Sequence, residues 1–471
     1  MRRSTWLALL LLFSAAVGLV SREPQKDPRL KDAQRRAERN GWIQVHLAGT
    51  PAQIGFQHGY LLAPEIREAQ KVLEAELEFD TKKPWPFFRA AAEQMLWPHI
   101  EAEYRQELEG IRDGLQARGV QLDLWDLVAM NAWLEWGYYV DWLNKKNKTT
   151  TARADGSRWS APEHCSAFVA TGSYTRDGRP VIGHNAWTRY MDGARWRIIF
   201  DIAPQNGHRI LMDGFPGLIH SGDDFGVNTA GIMITETTIS QFSGFDPDGV
   251  PEFMRARKAM QYSASIDDFA RIMKEGNNGG YANNWLVADR KTGEIGSLEL
   301  GLKHVTLRRT RDGYFSGANF PVNEKLEKEE TEFSTADAAL SPNARRARWD
   351  QLMGEHKGRI DVAAGQRFLA DHYDTFAKKD DPNERTLCGH IDLSPRGIEP
   401  WQPKWGPAGA VQNKVTDAAM AEKMSLTAAM GHACGIRFRA AEHLKKHPEF
   451  AWQQPYLRDL VPQPWTTFSA R

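Results

Sequence analysis

Cysteine is scarce in this chain. Cys165, Cys388 and Cys434 are the only three among 471 residues, and an odd count excludes full pairing in an oxidising compartment. Charge bias is also missing. Sixty Lys and Arg stand against 60 Asp and Glu, which argues against a nucleic-acid partner and against a strongly cationic membrane-surface protein. Internal repeats and sustained heptads are absent. His58, His164, His184, His220 and His304 show no ligand spacing of the zinc type, so no stable metal is expected. The glycine-bounded stretch 226–231 has no phosphate-loop Lys and precedes a strand rather than a helix. It reads as a turn, and no cofactor is expected.

What is present begins with a targeting pattern. Arg2 and Arg3 form a positive n-region, residues 6–20 are apolar, and Ala15, Ala16, Gly18 and Ser21 supply small residues. Residues 1–21 therefore read as a secretory signal, with an uncleaved anchor as the alternative. No cysteine follows the apolar stretch, which argues against a lipoprotein. The expected location is secreted or periplasmic, or a lysosomal-type lumen in a eukaryote. The remainder is long enough for one large domain or two smaller ones. The 17 tryptophans read mostly as packing residues. For the cysteines, one arrangement pairs Cys388 with Cys434 and leaves Cys165 free; the other leaves all three unpaired, since sequence does not supply the geometry of a disulfide.

The chain changes character at about residue 143. Residues 22–143 read as mainly helical, with predicted helices at 28–40, 51–79, 87–117 and 124–142 and one strand at 42–47. Trp125, Trp136 and Tyr139 share one face of the last helix, a core pattern. Residues 144–164 form a polar linker without periodicity, rich in Lys, Thr and Gly and ending at Pro162-Glu163-His164. From Cys165 onward the pattern is β, with strands at 167–171, 180–187, 196–202, 208–212, 231–239, 281–288 and 294–300. Helices intervene at about 251–275, 335–356 and 361–375. Tandem antiparallel hairpins with helical blocks between them predict a layered α+β fold, its sheets face to face between helices.

Cys165 carries the chemistry. It opens the β-rich part directly after a segment suited to cleavage. A cut between His164 and Cys165 would place a free α-amine on the residue that bears the sulfur. A thiol is a weak nucleophile until deprotonated, and an α-amine with a pKa near about 8 is a far better base than a peptide nitrogen. In the precursor the same sulfur can attack the preceding carbonyl and start an N-to-S acyl shift. The plain alternative is a buried strand-edge cysteine. Asp223-Asp224 invites a carboxylate-pair reading, but adjacent strand residues point apart, and a loop cap or turn fits better.

An ordered series of motifs extends this reading. Cys165-Ser166-Ala167 is followed by Gly183-His184-Asn185-Ala186-Trp187, Phe215-Pro216-Gly217, and Ser221-Gly222-Asp223-Asp224-Phe225. Then come Thr235-Glu236-Thr237-Thr238-Ile239, Tyr281-Ala282-Asn283-Asn284-Trp285 and Ile391-Asp392-Leu393. The series resembles the phospholipase B-like proteins. Upstream, Gly49-Thr50-Pro51, Gly55, Gln57-His58-Gly59 and Leu61-Leu62 resemble the opening signature of the wider penicillin acyltransferase group.

The resemblance implies an αββα sandwich of two antiparallel sheets between helical layers, made as a precursor and self-cleaved before Cys165. Residues 165–471 would be the catalytic chain, and residues 22–143 would stay bound as its own N-terminal chain. Asn283 is the first candidate for the oxyanion donor. Strand alternation puts it on one face with Trp285 and puts Asn284 on the other. Thr238 is a second donor candidate. His184 and Trp187 lie on the strand expected beside that of Cys165, where His184 could orient the amine or polarise the thiol. Related bile-salt and penicillin V hydrolases carry Arg and Asp in this neighbourhood, so the charge network around the amine differs here. The implied activity is hydrolysis of amide or ester bonds in a small lipid or N-acyl substrate. An acyltransferase differs only in what resolves the acyl-enzyme, and a non-catalytic secreted binding protein would keep the fold without the chemistry. A papain-like protease lacks its local cysteine signature here.

Overall fold

The structure is a computed structural model that describes residues 27–148, 165–222, 225–398 and 401–471. The predicted signal, most of the linker, His164 and the pair Asp223-Asp224 lie outside the described residues. The fold is mixed α and β, with two large sheets. The nine-stranded sheet runs in the order Gln34–Arg35, Ile43–Gly49, Ile198–Pro204, Ile210–Gly214, Gly226–Asn228, Ile232–Thr238, Asn283–Asp289, Glu294–Leu300, Val305–Thr310. The six-stranded sheet runs Gly313–Gly317, Cys165–Thr171, Val181–Arg189, Ala408–Asp417, Ser425–Met430, Thr466–Ser469. All neighbours in both sheets are antiparallel except Ile43–Gly49, which pairs in parallel with Ile198–Pro204. A strand from before the linker is thereby built into the sheet of the chain after it.

Side-chain alternation explains the layering, because successive strand residues point to opposite faces. In the nine-stranded sheet Ile198, Phe200, Ile210, Met212, Ile232, Ile234, Trp285 and Val287 join a core shared with the N-terminal helices and with helices Glu252–Tyr262 and Ile266–Lys274. Their neighbours Ile199, Leu211, Met233, Leu286 and Ala288 face the other way, onto Ala167, Val169 and Ile182 of the six-stranded sheet. On that sheet's far side Phe168, Ala170 and Val181 pack on Trp349, Met353, Ala364 and Phe368 from helices Ser341–Glu355 and Val362–Phe368.

Several predicted elements differ. Residues 28–40 are not a helix. Pro28–Leu30 is a single 3-10 turn capped by Asp27, and Gln34–Arg35 pairs with strand Ile43–Gly49 as the edge of the sheet. Asp32 and Asn40 adopt left-handed backbone, at φ 65° and 50°, which a helix does not permit. The predicted helix 51–79 is two helices, Pro51–Leu61 and Ala63–Thr81, divided beside Pro64. The region 87–117 breaks at Pro98, and 251–275 breaks at Ser263. Strands at 305–310, 313–317, 408–417, 425–430 and 466–469 were not anticipated.

The upstream Gln57-His58-Gly59 pattern has a structural explanation. Gln57 bonds both the N–H and the carbonyl of Ala48, at 2.8 and 2.9 Å, fixing helix Pro51–Leu61 to the strand before it. The Gly217 N–H donates to His58 Nε2 at 3.1 Å. A Cβ on Gly59 would sit 2.1 Å from the Ile111 carbonyl oxygen, and one on Gly55 1.9 Å from that of Glu107. Glycine at these two positions lets Pro51–Leu61 cross Ala102–Ala117 backbone to backbone.

Candidate active site

Cys165 is the first residue of its strand and is 4% exposed. The strand Val181–Arg189 lies beside it, with Cys165 opposite Ala186 and Ala167 opposite His184. Both candidates on that strand therefore flank the thiol, as expected. Trp187 lines the same small cavity as Cys165, together with Trp133, Leu134, Ala186, Trp196 and Tyr281. The Cys165 sulfur, a His184 ring nitrogen and a Glu236 carboxylate oxygen all lie within 4.8 Å of one another.

Two residues that the sequence reading passed over hold Cys165 in place. The backbone N–H of Cys165 donates to Asn319 Oδ1 at 2.9 Å. Asn319 Nδ2 in turn donates to the Thr238 carbonyl at 3.0 Å. Asn319 thus clasps the start of the Cys165 strand to the end of strand Ile232–Thr238, inside the nine-stranded sheet. Arg345 approaches from the outer helix. Its Nη1 donates to the Cys165 carbonyl at 2.5 Å and to Ser166 Oγ at 3.2 Å, and its Nη2 donates to Asn319 Oδ1 at 3.0 Å. The guanidinium also stacks 4.4 Å from the Trp187 ring.

Among the described residues, no carboxylate is a hydrogen-bond partner of Arg345, and the residue is fully buried. Burial therefore brings its pKa down from 12.5 to about 9, with Cys165 acting in the opposite direction. By reciprocity, a cation held there favours the thiolate. His184 is also fully buried. Burial, then the nearby Lys414, hold its pKa well below the ordinary imidazole value, against a hydrogen bond with the Glu236 backbone. His184 is therefore a neutral imidazole near pH 7. Tyr281 donates its hydroxyl to Glu236 at 3.0 Å. Tyr281 and Asn319 both adopt left-handed backbone, at φ 53° and 68°. Strain of this kind persists where surrounding structure fixes a side chain in place.

Asn283 pairs with Thr238 across neighbouring strands. It is fully buried, and neither side-chain polar atom makes a hydrogen bond. The predicted alternation holds. Trp285 belongs to the helix-side core, whereas Leu286 and Ala288 pack between the sheets. Asn284, sharing their parity, accepts from Ser297 at 2.7 Å. The Thr238 hydroxyl is likewise buried without a hydrogen bond. Asn283 is linked to Cys165 through Thr238 and Asn319.

Of the two arrangements considered for Cys388 and Cys434, the structure has the unpaired one: the two come together but are not bonded, and all three cysteines are free thiols. The two lie in a separate cluster with His372 and His390.

Arg345 did carry a sequence signal. It precedes Trp349 and Leu352 by four and seven residues, so it sits on the apolar stripe of its helix. An arginine on such a stripe needs a buried partner. Asn319 gave no such signal, because its partners are 81 and 154 residues away.

Comparison with known proteins gives these residues a family. Residues 79–465 match the family described as phospholipase B. The chain belongs to the phospholipase B family. Membership suggests a hydrolase. Among its curated relatives is the human phospholipase B-like 1, 24% identical over 58% of this chain and 52% of that protein. Phospholipase B of Crotalus adamanteus is 26% identical over 63% and 57%. An uncharacterized protein of Archaeoglobus fulgidus is 25% identical over 63% and 49%. The chain thus spans about half the length of the curated relatives it matches. Among the described residues, no helix is long and apolar enough to cross a membrane.

Proposed function

We propose that this phospholipase B family member is an exported, self-processing acyl hydrolase with Cys165 as an N-terminal nucleophile. The observation that carries the reading is the clasp on Cys165. Asn319 accepts from its nitrogen, Arg345 donates to its carbonyl, and the sulfur faces His184 and Glu236. A merely structural strand-edge cysteine has no need of a buried guanidinium that has no carboxylate partner among the described residues. The helix–sheet–sheet–helix packing order supports an N-terminal nucleophile sandwich.

In the precursor, Sγ attacks the His164 carbonyl, and the Cys165 nitrogen leaves as an amine. Water then hydrolyses the resulting thioester. This releases the residue-164 carboxylate and regenerates the thiol. Asn319 Oδ1, already the acceptor for this nitrogen, would hold the freed α-amine. That amine takes the thiol proton, the thiolate attacks the substrate carbonyl, and the proton passes to the leaving amine or alcohol. Water, deprotonated by the same amine, then hydrolyses the thioester, releasing the carboxylic acid and regenerating the thiol. Asn283 Nδ2 and the Thr238 hydroxyl are the donors proposed for the oxyanion. His184, being neutral, serves as a hydrogen-bond partner rather than as a cation, and Arg345 supplies the positive charge. The cavity beside the sulfur is walled by Trp133, Leu134, Ala186, Trp187 and Trp196. The cavity measures only about 10 Å³, so its apolar walls favour an acyl group at the sulfur, of an ester or an amide, but do not accommodate a long chain without widening.

Intact-mass measurement tests the reading without a substrate. Mature protein should contain a chain beginning at Cys165, with the earlier chain co-purifying because Ile43–Gly49 is paired into its sheet. Cys165→Ala should remain one chain. Cleavage that persists in Cys165→Ala, or a mature chain starting elsewhere, would sink the mechanism.

A further inference from the structure

The second cluster of chemically capable side chains lies away from the nucleophile's cavity. His372, Cys388, His390 and Cys434 come from three separate segments. His372 precedes the short hairpin Tyr373–Asp374/Lys379–Asp380, Cys388 and His390 flank Gly389 in a loop, and Cys434 follows strand Ser425–Met430. One donor atom from each of the four lies within 4.8 Å of the others. Cys388 and His390 are fully buried.

The spacings are specific. His372 Nε2 and His390 Nε2 are 3.2 Å apart, and His390 Nε2 is 3.6 Å from Cys388 Sγ and 3.5 Å from Cys434 Sγ. A tetrahedral zinc ion has bonds of about 2.3 Å to sulfur and about 2.0–2.1 Å to nitrogen. Tetrahedral angles then place two nitrogens about 3.3 Å apart, and a nitrogen and a sulfur about 3.6 Å apart. The three measured separations fall within about 0.2 Å of that shell. Hydrogen bonding alone gives no reason for three different donors to converge on one imidazole nitrogen, which can share only one proton.

We propose that His372, Cys388, His390 and Cys434 bind one structural zinc ion. Binding converts two thiols to thiolates and releases two protons to solvent. Two thiolates and two neutral imidazoles then balance the dication, so the buried site carries no net charge. Four protein ligands close the coordination shell, which makes the site structural rather than catalytic. The surroundings suit thiolate ligands. The Ile436 N–H donates to Cys434 Sγ at 3.4 Å, and the backbone N–H groups of Ala433 and Cys434 point at Cys388 Sγ. His390 Nδ1 faces the Asp392 carboxylate at 3.9 Å, and that carboxylate accepts from the Tyr190 hydroxyl. A carboxylate behind the non-ligating nitrogen is a common second partner of metal-bound histidine.

The position gives the ion a task. Asn185, on the strand beside Cys165, donates to the Leu369 and Leu387 carbonyls at 2.8 and 2.9 Å, next to the ligand loops. Gly389, between two ligands, lies so close to Trp187 that a Cβ there would be 2.2 Å from the indole. Zinc would therefore staple the loop that backs the Trp187 wall of the nucleophile's cavity.

The test is metal analysis of the purified full chain after dialysis against a chelator, followed by cobalt substitution. The expected result is about one zinc per chain, and a cobalt form whose visible and sulfur-to-cobalt charge-transfer bands indicate a tetrahedral sulfur–nitrogen set. Cys165→Ala should keep the metal. His372→Ala and Cys434→Ser, both at partly exposed ligands, should lose it. Zinc far below one per chain, with a mass deficit that maps to a Cys388–Cys434 disulfide, would overturn the proposal. So would full zinc content in the His372→Ala/Cys434→Ser double variant. If the variants fail to fold, the wild-type cobalt spectrum decides, and a spectrum without sulfur-to-cobalt bands refutes the site.

Discussion

Replacing Arg345 with Met separates the two tasks this residue could have. The guanidinium is fully buried with no carboxylate partner among the described residues, and its pKa falls from 12.5 to about 9. That descent corresponds to roughly 5 kcal/mol of destabilisation at neutral pH. The sign follows from proton uptake. Between about pH 9 and 12.5 the unfolded chain holds a proton the folded chain has released, so stability rises with pH in that window. Below pH 9 the penalty is constant, so an assay at pH 6–8 sees all of it. Met removes the buried charge and recovers up to that amount. It also removes four hydrogen bonds, to Ser341, Cys165, Ser166 and Asn319. Hydrogen bonds to a charged group contribute about 1.5–3 kcal/mol each. Four such bonds amount to about 6–12 kcal/mol, more than the roughly 5 kcal/mol recovered, so the variant should be destabilised by about 1–7 kcal/mol. Function should not be spared. Without the cation, the Cys165 thiolate loses a stabilising neighbour, and the strand start loses a clamp. Processing should slow by about 10²–10³, the scale of losing one preorganised electrostatic contact. Alkylation of Cys165 by iodoacetamide should shift to higher pH. The assays are intact mass over time, alkylation against pH, and thermal unfolding. Normal processing with an unchanged alkylation profile would refute the role assigned to Arg345. A variant that simply unfolds would show that the guanidinium serves stability instead.

Asn283→Ala should lose about 10²–10³ in turnover while folding normally, whereas Asn284→Ala, whose side chain bonds Ser297, should lose much less; steady-state kinetics on both variants reverses the assignment if the order is inverted. A precursor variant that retains one extra residue before Cys165 replaces the α-amine with an amide and should lose nearly all turnover, although the sulfur and Asn283 remain. Normal hydrolysis by that variant, with the extra residue verified by mass, would remove the amine as the base. His58 has a folded-state pKa lowered from 6.5 to about 3 by burial and then by Arg257. The unfolded chain therefore takes up the proton first, and stability falls as pH drops below 6.5. His58→Gln, which keeps an acceptor for the Gly217 N–H, should lose about 2 kcal/mol less than wild type between pH 7 and 5 in urea unfolding. Gly59→Ala should destabilise by about 1–3 kcal/mol despite alanine's helix propensity, because its Cβ meets the Ile111 carbonyl; an unchanged urea midpoint would mean the helix crossing is looser than the structure has it.

The sequence by itself determined the local features. Alternating apolar residues in 196–202, 208–212 and 281–288 specified strands, because a period of two can bury one face against helices and the other against a second sheet. Cys165 at the head of a strand was equally legible, as was the opposition of Asn283 and Asn284. Tertiary structure decided what local pattern leaves open. Residues 28–40 have a helical composition, yet pairing with Ile43–Gly49 draws Gln34–Arg35 into a sheet edge. The strand Ala408–Asp417 gave no signal because it buries Gln412, Asn413 and Lys414. Polar residues read as loop when their partners are unknown. Here Gln412 and Lys414 reach Asp213, and Asn413 reaches the Ala429 and Gly431 carbonyls. The candidate site divides in the same way. One hairpin brings His184 and Trp187 to Cys165, so short-range spacing revealed them. Asn319, Arg345 and the His372–Cys388–His390–Cys434 cluster meet only after both sheets have closed, because a buried polar group is satisfied by proximity in space and not in sequence.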